Sequence, residues 1–206
     1  MGIILLTAAR PAWAGPPIHD LAGSSRAVQP AALLDCWQIV PSPNPSTSTA
    51  ELNGVAVVST TDVWSVGTYQ DSNAVYRTLV EHWNGSAWSV VPSPNVGTQG
   101  SYLNGVATVS ANDVWAVGEY ENGTLIEHWN GSAWSVVPSP NPGPGTNGRL
   151  IGVAAVSAND VWAVGSYYGG SGGADLSFIE HWNGGAWSLV SNPNPGTQEN
   201  ALDGVA

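Results

Sequence analysis

Residues 103–141 read LNGVATVSANDVWAVGEYENGTLIEHWNGSAWSVVPSPN, and this stretch decides the fold. It recurs almost whole at 52–95 and at 150–194. A fragment of the same unit precedes the copies (residues 36–44, CWQIVPSPN) and another follows them (residues 202–206, LDGVA). Aligned on Asp-Val-Trp, the copies start at Asp62, Asp113 and Asp160, giving periods of 51 and 47 residues. Periods of that size belong to stacked supersecondary units. Sustained apolar residues at helical spacing are missing. The apolar content comes in short runs of Val and Trp bounded by Gly, Asn, Pro and Ser, which is the pattern of strands.

The middle copy parses into four of them. Residues 105–110 form a first strand, and Ala111-Asn112 a tight turn in which Asp113 is expected to accept backbone hydrogen bonds. Residues 113–120 and 124–129 form the second and third strands. Asn130-Gly131 is a hairpin signal, because Asn and Gly tolerate the positive φ of short hairpin turns. Residues 134–138 form the fourth strand, ended by prolines that donate nothing to a ladder. The resulting meander is apolar on both faces and has to be covered on both. Sheets stacked face to face around an axis satisfy that requirement. Each copy brings three tryptophans: Trp64, Trp83 and Trp88; Trp115, Trp129 and Trp134; Trp162, Trp182 and Trp187. Burying such a ring contributes on the order of 4–6 kcal/mol before entropy, so these residues are assigned to the core.

The unit resembles a blade of the kelch/galactose-oxidase-type β-propeller superfamily. The likeness rests on IEHWNGSAWSVVPSP (126–140), an aromatic, a short turn and a tryptophan before a proline. DVWAVG (113–118) with the NGSAW hairpin is also similar to tectonin-type repeats. The kelch double glycine after the second strand is a single glycine here (Gly67, Gly118, Gly165), and no catalytic signature of the family is present. The resemblance covers residues 36–206. It implies an all-β propeller of four-stranded antiparallel blades, three complete and two partial. The divisions are 36–51 (end of a blade), 52–102, 103–149, 150–201 and 202–206 (start of a blade). A chain that stops inside a repeat is expected to be a fragment of a longer product. An arc of three blades is expected to self-associate through its open faces.

Charge narrows the partners. The chain carries fifteen acids against four arginines and no lysine, a formal charge of −11. Affinity for nucleic acid comes mostly from Lys and Arg, so DNA and RNA are excluded as partners, and anionic membranes repel such a surface. No apolar run reaches the length needed to span a bilayer. Residues 1–14 end in Ala12-Trp13-Ala14, a signal-peptidase pattern. They are expected to be a truncated signal peptide, followed by a disordered linker over 15–35. Cys36 is the single cysteine, so no intrachain disulfide forms. The expected location is extracellular or at the cell surface.

Chemistry is sparse. Glu-His-Trp repeats at Glu81-His82, Glu127-His128 and Glu180-His181, but neighbours in a strand point to opposite faces. These residues are assigned to blade structure, and neither a metal nor a cofactor is expected. Asp62, Asp113 and Asp160 resemble the turn acids of sialidase-type propellers, which are themselves structural. Sequons at Asn84, Asn122 and Asn130 also read as turns. No nucleophile motif or phosphate loop appears, and the chain is read as non-enzymatic. The rival reading is a fragment of a carbohydrate-active propeller enzyme whose catalytic residues lie elsewhere. Comparison of the copies places variation in the two-to-three loops and in the blade linkers, which emerge at one end of a meander. The ligand-binding candidates are Tyr69, Asp71, Tyr76, Tyr120, Glu121, Tyr167, Tyr168 and Asp175. Tyrosine beside acids suits neutral or cationic ligands, glycan or protein.

Overall fold

The computed structural model describes residues 2–4, 38–121, 123–143, 147–169, 174–196 and 199–206. The Ala12-Trp13-Ala14 pattern, the 15–35 linker, Cys36 and Asn122 lie outside the described residues. Regular structure among the described residues is all strand, and no helix is long and apolar enough to cross a membrane. Two units are distinguished, Met1–Ser42 and Pro43–Ala206. In the first, β1 (Gly2–Ile4) pairs antiparallel with β2 (Ile39–Pro41).

The second unit holds three four-stranded antiparallel sheets, each a meander in chain order. The first comprises β3 (Ala50–Ser59), β4 (Asp62–Gln70), β5 (Tyr76–Trp83) and β6 (Trp88–Val90). The second comprises β7 (Ser101–Ser110), β8 (Asp113–Tyr120), β9 (Gly123–Trp129) and β10 (Trp134–Val136). The third comprises β11 (Gly148–Ser157), β12 (Asp160–Tyr168), β13 (Asp175–Trp182) and β14 (Trp187–Val190). The first strands β3, β7 and β11 pack beside one another, so each sheet is a blade with its first strand innermost. The second unit is therefore built of propeller blades. Residues 202–206 extend the series, with the Gly204 backbone against Gly152 as the Gly105 backbone lies against Gly54.

The innermost strands are longer than the Val-rich cores that announce them. A bulge at Asn53 and at Asn104 lets pairing continue back to Ala50 and Ser101. A bulge adds an unpaired residue and re-aims its side chain. Here Asn53 Nδ2 donates to the Leu103 carbonyl at 3.0 Å and Asn104 Nδ2 to the Leu150 carbonyl at 2.8 Å, tying each inner strand to the next. The bulge also brings a carbonyl against the second strand. A Cβ on Gly67, Gly118 or Gly165 would overlap the carbonyl oxygen of Glu51, Tyr102 or Arg149, respectively.

Alternate residues of each blade feed two interfaces. Trp64, Val66 and Val80 pack on Leu103, Val114, Ala116, Leu125 and Trp134 of the second blade. Trp115, Val117 and Ile126 pack on Leu150, Val161, Ala163, Phe178 and Trp187 of the third. Trp64 meets the rings of Trp129 and Trp134 at 5.1 and 5.5 Å, and Trp115 meets Trp182 and Trp187 at the same spacings. The outermost faces differ. Val156 is 74% exposed and Trp162 half-buried, and on the first blade Val55 and Val57 are exposed.

The one-to-two turns correct one expectation. The hydroxyls of Ser59, Ser110 and Ser157, rather than the aspartates, accept the turn N–H of Thr61, Asn112 and Asn159. Asp62, Asp113 and Asp160 instead accept from His82, His128 and His181 at 2.8–2.9 Å. Each histidine ring lies 4.1–4.3 Å from the tryptophan of its own blade's second strand. In the three-to-four turns, only the glycines (Gly85, Gly131, Gly184) take positive φ. The asparagine works through its side chain: Asn130 Oδ1 accepts the N–H of Ser132 and Ala133.

Candidate functional site

One end of the blades collects the two-to-three loops, the blade linkers and the starts of the inner strands. The linkers are pinned by PSPN and its variant SNPN. Asn95 accepts the Thr78 N–H at 2.9 Å, Asn141 the Thr124 N–H at 3.1 Å, and Asn194 the Ser177 N–H at 2.7 Å. Ser93 and Ser139 pair with the hydroxyls of Thr78 and Thr124 at 2.7 Å. The motif is thus an anchor as well as a strand stop. Single parallel bridges, Tyr76 to Gly100 and Asp175 to Glu199, hold the linkers against the third strands.

Within this end the eight candidate residues have different surroundings. Asp71 builds its own loop: it accepts the N–H groups of Asn73 and Val75 and the Nε–H of Arg77 at 2.8 Å. The Arg77 hydrogen bond, then that of Val75, holds its carboxyl below the ordinary range. Glu121 accepts from the Thr98 N–H at 2.6 Å and the Gln99 N–H at 3.3 Å, fastening the linker and lowering its own pKa. Tyr120 and Tyr167 pack against the two interblade clusters, and Tyr167 meets Phe178 edge-on at 5.9 Å. Tyr69 is half-buried on β4, and Tyr168 is 56% exposed. The Asp175 carbonyl accepts the Asn200 N–H at 2.9 Å. Tyr76 lies beside Tyr102 with the rings tilted and their centroids 5.2 Å apart.

A cavity of about 400 Å³ brings part of this set together. Tyr120 and Glu121 line it with Gln99, Tyr102, Glu119 and Asn147. Tyr69 and Asp71, on the first blade, and Tyr167, Tyr168 and Asp175, on the third, are not among its lining residues. Tyr102 and Glu119 are cross-strand partners on β7 and β8, so their side chains stand side by side on one face. Both are half-buried. Burial raises the Glu119 carboxyl, with the nearby Arg149 charge opposing the shift.

Reading loops alone misses Tyr102 and Glu119. The signal lies within strands, at register pairs where the copies disagree. Glu51 faces Thr68 in the first blade, Tyr102 faces Glu119 in the second, and Arg149 faces Ser166 in the third. The flanking positions repeat: Leu52, Leu103 and Leu150 on one strand, and Gly67, Gly118 and Gly165 opposite.

Fold and site together define an all-β, propeller-type repeat protein with a cavity at the loop end. Neither a protein-family model nor a curated protein matches the chain. Among solved structures it is similar to one described as YCF48 bound to D1 peptide, at 18% identity and a TM-score of 0.42. That match covers 73% of this chain, which spans about 60% of the length of the other.

Proposed function

We propose that this chain is a secreted, non-enzymatic binding module that holds a protein or glycan ligand at the loop end of its blades. The observation that carries the reading is the cavity beside Tyr102 and Glu119, lined at positions where the copies differ. The residues that repeat are committed elsewhere: aspartate to histidine, histidine to tryptophan, and the PSPN asparagine to the third strand. A rigid scaffold whose differences gather around a cavity is the usual arrangement of a recognition surface. Neutral-glycan and peptide arrays probed with the whole chain test this. Retained binding that is lost on Tyr102→Ala, with the blade fold intact, supports it. Binding unaffected by Tyr102→Ala, or turnover of a glycan, would sink it. Export of a reporter fused behind residues 1–35 tests the secretion part.

A further inference from the structure

The cavity at the loop end of the second blade, bounded by Asn147 of the following linker, has a chemical character that narrows its ligand. Glu119 presents a half-buried carboxylate that makes no hydrogen bond and no ion pair within 4 Å among the described residues. A half-buried carboxylate without a hydrogen bond is costly, and a cation in contact with it relieves that cost. The other acid of the lining, Glu121, has both oxygens turned to backbone N–H groups and adds negative potential at the rim. Arg149 is the charged group closest in effect to Glu119. Its Nε–H donates to Ser166 Oγ at 3.3 Å, and the residue is otherwise exposed.

Tyr102 supplies the second element. Its ring stands beside Glu119 on the shared face, where ring and carboxylate together suit a cationic group. Gln99 and Asn147 add exposed amides at the opening. The corresponding pairs in the other blades, Glu51 with Thr68 and Arg149 with Ser166, lack the combination of ring and acid. The pair is therefore particular to the second blade and is not part of the repeated scaffold. We propose that this cavity receives a guanidinium or ammonium side chain of a peptide ligand, held by Glu119 and the face of Tyr102. The proposal rests on the binding-module reading above and deepens it. A chain without lysine and with a net charge of −11 fits a basic partner.

Nα-acetyl-arginine amide and Nα-acetyl-citrulline amide, which share a shape and differ in charge, separate the possibilities. Each is titrated into the isotopically labelled whole chain while amide NMR signals of Gln99, Tyr102 and Asn147 are followed. Saturable shifts with the arginine compound are expected, weakened about tenfold or more by citrulline, by Glu119→Gln and by Tyr102→Leu. Tyr102→Phe, which keeps the ring, retains binding. Unshifted signals at all three residues, equal shifts with both compounds, or full retention in Glu119→Gln would each overturn the proposal. Dispersed amide spectra identify the variants that keep the fold, and Glu119→Gln preserves side-chain size. Array binding that persists in Glu119→Gln, whether to peptide or glycan, sinks the cationic ligand while leaving the binding module standing.

Discussion

At the scale of single residues, the repeated amino acids are those with no alternative. Gly118 lies where the bulge presses the Tyr102 carbonyl against β8, so any Cβ collides with backbone that cannot rotate away. One such position exists per blade, at Gly67, Gly118 and Gly165, and each copy keeps glycine there. Gly118→Ala should lower stability by about 3 kcal/mol or more in urea unfolding. Gly185→Ala is the control. Its added Cβ meets nothing closer than 3.6 Å, the other copies carry serine there, and the change should stay within about 0.5 kcal/mol. The repeated glutamates pose a different constraint. Glu81, Glu127 and Glu180 are fully buried, and among the described residues the carboxyl oxygens of Glu81 and Glu127 have no hydrogen-bond donor. Burial pushes Glu81 up to about 7 and Glu127 and Glu180 to about 8, with the nearby Ser139 hydroxyl opposing the Glu180 shift. Folded-state values above the ordinary 4.5 mean that the protonated carboxyls stabilise the fold fully below about pH 4.5. That contribution is lost as pH rises through about 8. Asp71 and Glu121, whose values are lowered, act in the opposite sense at acid pH. Urea midpoints should therefore fall between pH 5.5 and pH 9, and Glu127→Gln, neutral throughout, should flatten that fall. A wild-type midpoint that rises across this range would contradict the assignment.

At the scale of elements, legibility in the sequence depends on whether a residue's role is local. The second strand, expected over 113–120, is β8 (Asp113–Tyr120), because Val and Trp alternate between two interfaces and turn residues bound the run. The hairpins are legible through their glycines, whereas the asparagine, read for the same positive φ, serves instead as a side-chain acceptor. The role of PSPN was hidden. Its prolines announce a strand end, but the partner of Asn95 is Thr78, seventeen residues earlier and visible only after folding. The role of the aspartates is hidden for the same reason, their histidine partners lying on the third strand. Loop variation pointed to Tyr120 and Glu121, whereas Tyr102 and Glu119 sit in strands, and only the pairing register joins them. The Asn95 anchor is testable. Asn95→Ala leaves the buried Thr78 N–H without its acceptor, which costs about 1–3 kcal/mol. The Thr78 amide should then exchange faster with deuterium than in the parent. Unchanged exchange there would show that the linker is held by other contacts.

At the scale of the whole molecule, one structural position repeated three times experiences two environments. Trp64 and Trp115 are each 2% exposed, roofed by two tryptophans of the following blade. Among the described residues their indole N–H groups find no hydrogen-bond acceptor, because the stack fixes the ring against apolar neighbours. Trp162 meets no such roof among the described residues. Its ring stacks on His181 at 4.1 Å and its Nε1–H donates to Asp160 Oδ1 at 2.8 Å. Val156, six residues earlier on β11, stands 74% exposed, where its counterparts Val58 and Val109 pack on the interblade clusters. Cooperativity in a repeat array resides in interfaces between neighbours, so a residue inside an interface is worth more than its twin outside one. Trp115→Ala should cost about 3–5 kcal/mol, the range for emptying a filled aromatic site, and loosen both the second and third blades. Trp162→Ala should cost about half as much, since that ring is already half-wet and leaves no enclosed cavity. Denaturant unfolding of the two variants, read with amide exchange on β8 and β12, makes the comparison. Equal losses would mean that the third blade is covered in solution as fully as the second, and the outer face would then be an interface rather than an edge.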